Sequence, residues 1–320
     1  MASYRLGSKG AEVARIQARL AALGHYHGPI DGVFGGGTQI AVRAAQAAFG
    51  LAIDGTVGPI TWTALFAESA PEPAIKGAPI GKRCLALTGS FETSTPVPEC
   101  FAGLSGDFDG QGVSFGALQW NLGQGSLQPL LRAMAERHGE TFDLVFGDGA
   151  TVLRGLLGRP REDQMTWART IQSPKHVLDE PWRGRFKALG RTVECQGLQL
   201  EHSAAILAKA RAWCLDYGLA SQRALALFFD IRVQNGGIRP PVEALIRADF
   251  AALGGAPAGP GAETPFLRAV ANRRADAAKP RWREDVRRRK LTIAEGVGTV
   301  HGAHYDLDAD YGIGLRPIDG

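Results

Sequence analysis

The 320-residue chain contains no long apolar run, and nowhere does it approach the roughly 18 residues needed to cross a bilayer. Its first ten residues, MASYRLGSKG, lack the apolar stretch of a secretory leader. Together these absences predict a protein made in the cytoplasm without a signal peptide and not inserted in a membrane. Cysteine is scarce, at four residues: Cys84, Cys100, Cys195 and Cys214. Their spacing matches no zinc pattern. Free buried thiols are the expectation, or one or two bridges formed after export. A strong charge excess is also missing, since 36 Lys and Arg against 32 Asp and Glu leave a net charge of only +4. The densest basic run, 281–290, is interrupted by Glu284 and Asp285 and reads as a solvated helix face before a polymer-binding patch. No nucleic-acid partner, metal or cofactor is expected, and the chain reads as a monomer.

What is present begins with length and hydrophobic content sufficient for two domains with real cores, 45% of residues being hydrophobic. The first part carries an internal repeat. Asp31-Gly-Val-Phe-Gly-Gly-Gly-Thr38 and Asp54-Gly-Thr-Val-Gly-Pro-Ile-Thr61 share the pattern D-G-x-[FV]-G-x-x-T. The Asp-Gly pair makes a tight turn because glycine accepts positive φ. Phe34 or Val57 then plugs a small core, and Thr38 or Thr61 stands where a helix N-cap belongs. An amphipathic helix with Val13, Ile16, Leu20 and Leu23 on one stripe precedes the first loop and ends at Gly24. A second helix follows from about Thr38 to Phe49, and a short third one holds Trp62 and Leu65.

Residues 6–66 resemble the type 1 peptidoglycan-binding domain family. Leu6-Gly7, Gln17, Asp31-Gly32, Phe34-Gly35, Gln46, Asp54-Gly55 and Val57-Gly58-Pro59 carry the match. The resemblance implies a bacterial peptidoglycan partner for a module spanning 1–68. His25 and His27 read as exposed loop residues. Residues 69–82, with three prolines and two glycines, read as a semi-extended linker. The rest, 83–320, reads as one mainly α domain, with helices at 126–138, 162–172, 198–217 and 221–234. Strand-like alternation is confined to 104–122.

Cleaving a glycosidic bond usually takes two carboxyl groups, one protonated in an apolar setting and one ionised in a polar setting. Glu92 follows Phe91 and the apolar stretch 84–87, which suits the first role. Asp109 and its rival Asp107 lie in a Gly-rich turn, which suits the second, and Val113 to Trp120 reads as the strand leaving it. A Glu ending a helix, then Asp109-Gly-Gln-Gly-Val-Ser114-Phe-Gly116 seventeen positions on, resembles the lysozyme superfamily. The glycoside hydrolase family 46 chitosanases and phage-type lysozymes are the nearest in pattern. That resemblance implies a lysozyme-like α domain with a small β-hairpin behind the three-helix module, as in modular phage endolysins. It implies Glu92 as general acid, Asp109 as general base, Ser114 as positioner of the attacking water, and inversion. Asp107, Gln119, Asn121 and Asn235 would contact substrate. The expected function is an endolysin-like muramidase, acting on the wall after release by a holin or delivery by a secretion machine. Alternatives left open are a lytic transglycosylase, a zinc peptidase or amidase using His301, His304 and Asp306, and a non-catalytic wall-binding protein.

Overall fold

The computed structural model describes residues 3–69 and 73–318, so part of the expected linker, 70–72, lies outside the described residues. The chain is mainly α-helical. The first three helices, α1 Ala11–Ala22, α2 Gly36–Ala48 and α3 Pro59–Phe66, close around Val13, Ile16, Leu20, Phe34, Val57 and Trp62. The two repeat loops use one design. Gln17 Nε2 donates to Asp31 Oδ1 (2.9 Å), to the Val33 carbonyl (3.0 Å) and to Thr38 Oγ1 (3.2 Å), while Gly32 N–H donates to Gln17 Oε1 (2.9 Å). Gln46 repeats this with Asp54 (2.8 Å), Thr56 (2.9 Å), Thr61 (3.2 Å) and Gly55 (2.9 Å). One buried amide thus satisfies both the turn and the helix start. The threonines are not N-caps as expected. Gly35 and Gly58 occupy those positions, and Thr38 and Thr61 sit inside the first turn, accepting from the glutamines.

The rest of the chain continues with α4 Ile80–Thr93, α5 Leu127–Arg137, α6 Gly139–Phe146, α7 Gly149–Leu157, α8 Arg161–Thr170 and α9 Trp182–Arg191. Then come α10 Val193–His202, α11 Ala204–Asp216, α12 Gln222–Asn235, α13 Pro240–Ala252, α14 Thr264–Asp276, α15 Arg283–Glu295 and α16 Leu307–Tyr311. Two apolar clusters organise them. One gathers α4, α12, α14 and α15 around the fully buried run 224–231. The other gathers α5 to α10 around Phe142, Phe146 and Phe186 and takes in Val113, Phe115 and Leu122. Trp120 packs against both.

Several expectations need correction. The segment read as a spacer contributes Ile75 and Ile80 to the large core, and α4 begins within it. The expected helix 198–217 is two helices broken at Ser203, whose hydroxyl bonds back to the Leu200 carbonyl. The run 113–120 is not one strand. Strands β1 Leu104–Ser105, β2 Ser114–Phe115 and β3 Trp120–Asn121 form an antiparallel sheet in the order β1-β2-β3, with a turn at 116–119 between the last two. A second hairpin, β4 Val297–Val300 with β5 Ala303–Asp306, had no counterpart in the sequence reading.

Candidate active site

Helix α4 carries Ile80, Cys84, Leu85, Leu87 and Phe91 into the large core and stops where Ser94 turns left-handed. Glu92, its penultimate residue, emerges at the rim of a cleft of about 540 Å³. The sheet reaches this helix because Gly89 has no side chain. A Cβ there would stand 2.8 Å from that of Ala117, in the turn between β2 and β3. The same turn is held from behind by Gln199, fully buried in α10. Its Oε1 accepts from Ala117 N–H and its Nε2 donates to the Phe101 carbonyl, both at 2.9 Å.

The setting of Glu92 differs from expectation. Its carboxylate, 27% exposed, does not end in an apolar pocket; Oε1 accepts from Arg289 Nη2 at 2.7 Å. Arg289 is itself buried. Its Nη2 and Nε bond Asp230 at 2.6 to 3.1 Å, and its guanidinium lies 5.1 Å over the Phe91 ring. Asp230 is also bonded by Lys290 Nζ and by Thr88 Oγ1 (3.0 Å), and Lys290 reaches Gln234 at 2.7 Å. Burial pushes the Asp230 pKa up, but the charges of Arg289 and Lys290 and their hydrogen bonds outweigh it and hold the group down at about 2. Burial pulls the Lys290 ammonium below its ordinary value, with Asp230 opposing. The end of the basic run is therefore no solvated face: Arg289 and Lys290 are core residues paired to a buried aspartate.

Across the cleft stands the small sheet. Ser105, Ser114 and Asn121 are register neighbours across its three strands. Ser114 and Asn121 are nearly buried, and Asn121 Oδ1 accepts from Gln124 N–H at 2.8 Å. Gln119 adopts a positive φ of 53°, and its amide is tied to Ser105 Oγ (3.1 Å) and the Gly116 carbonyl (2.9 Å). Asp109 is exposed on the loop before β2, where Oδ1 accepts from Gln111 N–H at 3.1 Å. Glu92, Asp109, Ser114, Gln119 and Asn121 all line this one cleft.

Two expected substrate residues are elsewhere. Asp107 does not line the cleft. It accepts from Gly112 N–H (2.7 Å) and Arg169 Nε (2.9 Å) and pins the loop to α8. Burial raises its pKa, but those two donors overcome it and lower the group overall. Asn235 lines a separate pocket at the end of α12. Sequence reasoning missed Ser105, Phe108, Glu99 and Lys187, which also line the cleft. Phe108 is 68% exposed. Glu99 is gripped by Arg191 at 2.8 and 2.9 Å, which with Lys9 and Lys187 holds it below the usual carboxylate range despite burial. His301 pairs with Asp285 at 2.9 Å. Among the described residues no group of three or more His, Cys, Asp or Glu side chains is placed to share a metal ion.

Comparison with known proteins bears most on the N-terminal module, where residues 9–65 match the putative peptidoglycan binding domain family. The chain is 53% identical over 55 residues to a spore cortex-lytic enzyme of Oceanobacillus iheyensis, covering 17% of this chain and 20% of that protein. It is 43% identical over 76 residues to the N-acetylmuramoyl-L-alanine amidase CwlM of Mycobacterium tuberculosis, covering 20% and 19%. The chain thus spans about a fifth of the length of these relatives. Among solved structures it is similar to a chitosanase complex, at 19% identity and TM-score 0.43, covering 70% of this chain and 95% of that one. It is also similar to the Burkholderia AP3 phage endolysin, at 19% identity and TM-score 0.20, covering 72% and 98%. At such identities and scores the activity has to be argued from the chain's own residues.

Proposed function

We propose that this chain degrades bacterial peptidoglycan, its N-terminal module holding the wall and its helical domain cutting the glycan as a glycoside hydrolase of the muramidase type. The observation that carries this reading is the convergence of Glu92 and Asp109, from two separate elements, on one cleft whose floor is the Ser105-Ser114-Asn121 row.

In this reading Glu92 is the acid. Arg289 engages only its Oε1, and Oε2 has no donor among the described residues. That oxygen is the one left to carry the proton toward a sugar in the cleft. The proton passes to the glycosidic oxygen as its bond to the anomeric carbon breaks. Asp109, exposed and solvated, takes a proton from the water that attacks the opposite face, with Ser114 orienting that water. Charge in the cleft favours an N-acetylated wall glycan over a polyamine such as chitosan. Of the lining carboxylates, Glu92 is paired with Arg289 and Glu99 with Arg191, and Lys187 adds a positive charge. Only Asp109 lacks a countercharge among them, which is no acidic trench for a polycation. Phe108 offers an aromatic face to a pyranose ring.

Digestion of purified peptidoglycan in ¹⁸O-labelled water tests the reading. Each new reducing end is expected to carry one labelled oxygen, and Asp109→Asn is expected to lose about 100-fold in rate. Anhydro-sugar ends would make the enzyme a transglycosylase, and released stem peptides would make it an amidase.

A further inference from the structure

The pocket that Asn235 lines has a chemistry of its own. It holds about 280 Å³ between the end of α12 and the start of α13 and is lined by Asn235, Gly236, Gly237, Ile238, Arg239 and Arg274, with Val242 beside them. It shares no lining residue with the catalytic cleft. Two guanidinium groups meet here, and among the described residues neither has a carboxylate partner. The Nε of Arg274 is buried and has no acceptor among the described residues. By contrast, three other arginines of α14 and α15 are matched: Arg273 with Asp249, Arg287 with Asp276, Arg268 with Glu295. Burial, with the adjacent Arg239 charge, holds Arg274 below the usual arginine pKa, the mark of a cation kept without its anion.

The pocket also holds one unmatched acceptor and two further unmatched donors. Asn235 Oδ1 is buried with no donor. The N–H groups of Gly237 and Ile238 meet no acceptor among the described residues. A buried orphan acceptor or donor is costly, so Asn235 Oδ1 and Arg274 Nε in one cavity indicate a missing partner that supplies both complements. An inorganic anion would complete the arginines and the amides, but its only donor to Asn235 Oδ1 would be an acid hydroxyl, as in hydrogen phosphate, and not an amide N–H. An acylated α-amino acid supplies both: a carboxylate for Arg239, Arg274 and the loop N–H groups, and an amide N–H for Asn235.

We propose that this pocket binds the carboxylate end of an N-acylated amino acid, as found at the end of a wall stem peptide. Identifying the source as wall peptide rests on the peptidoglycan reading above; the pocket's chemistry does not. The site would let the protein hold the peptide of a strand while the cleft holds its glycan.

The test is a titration of the full chain with N-acetyl-D-alanine, N-acetyl-D-alaninamide and inorganic phosphate, following the backbone amide resonances of Gly236, Gly237 and Ile238. Saturable shifts with N-acetyl-D-alanine are expected, at least tenfold weaker with the other two. Arg239→Ala, at an exposed position, and Arg274→Gln are each expected to weaken binding at least tenfold. Equal binding of the carboxamide, or phosphate binding as tight as the acyl amino acid, would overturn the proposal, as would unchanged binding in both variants. Because no glycan is cut in this experiment, its failure is separate from failure of the hydrolase reading. Glu92→Gln is expected to bind N-acetyl-D-alanine like the parent.

Discussion

In the N-terminal module, the polar bonds that fix each loop join residues at most 21 positions apart, and the Gln17 set is repeated by the Gln46 set. At the cleft, the bonds that fix Glu92 join residues 59, 60, 142 and 197 positions apart. The module satisfies its loop polar groups locally, each loop pairing one glutamine amide with one aspartate. The cleft uses a buried ionic cluster assembled from α4, α12 and α15. These local loop bonds depend little on distant residues, although Arg5 and Lys9 of the module reach Asp310 and Glu99 of the helical domain. A long-range ionic design is strong only when every member is present, since a lone buried charge is costly. The module is therefore suited to anchoring and the cluster to holding one carboxylate in one place.

The largest expected effect breaks the cluster. Asp230→Asn leaves Arg289 and Lys290 buried without their anion and is expected to cost about 3–5 kcal/mol. Calorimetry would register this as a lowered melting transition of the helical domain. Acid sharpens the same contrast. Asp230 is held down at about 2, so its contribution is complete above the ordinary aspartate value of about 4. It drains away as pH falls from there toward 2, and a helical-domain melting curve in that window should steepen in the parent and flatten in Asp230→Asn.

A smaller effect breaks the module. Gln46→Ala orphans the Gly55 N–H and removes the donor to Asp54 and Thr61, at a cost of about 1–3 kcal/mol. Binding to purified wall should weaken on warming, with cleavage of short soluble glycans unchanged. The smallest effect concerns the loop. Asp107→Asn removes the partner of an exposed Arg169 and keeps an acceptor for Gly112, so about 0.5–1 kcal/mol and less than about fivefold in rate are expected. A loss at Asp107 matching that at Asp109 would show that the wrong aspartate has been taken as base.

Legibility in the sequence followed the same division. The module's repeat put its turns, core and helices in plain view, and only the role of the threonines was misjudged, because the partner glutamine lies one helix earlier. The Gly-rich hairpin was likewise visible, since local glycines and the Asp-Gly pair report local turns. The ionic cluster was not. Arg289 and Lys290 sit at the end of a basic run that reads as solvent-facing, and nothing near them in sequence is their partner. One signal was present: Asp230 interrupts the otherwise apolar run 224–231, and a charge in a helix buried all round requires a countercharge. The β4–β5 hairpin escaped because its strands are only four residues each and neither carries a sustained apolar alternation.

The account turns on Glu92, held by Arg289, as the proton-carrying group of the cleft. The most direct measurement is the rate of glycan cleavage by Glu92→Gln beside the parent, with the melting temperature of both recorded. The account predicts a loss exceeding about 100-fold in a variant that remains folded. A folded Glu92→Gln protein that cuts the glycan within a few-fold of the parent rate would contradict it.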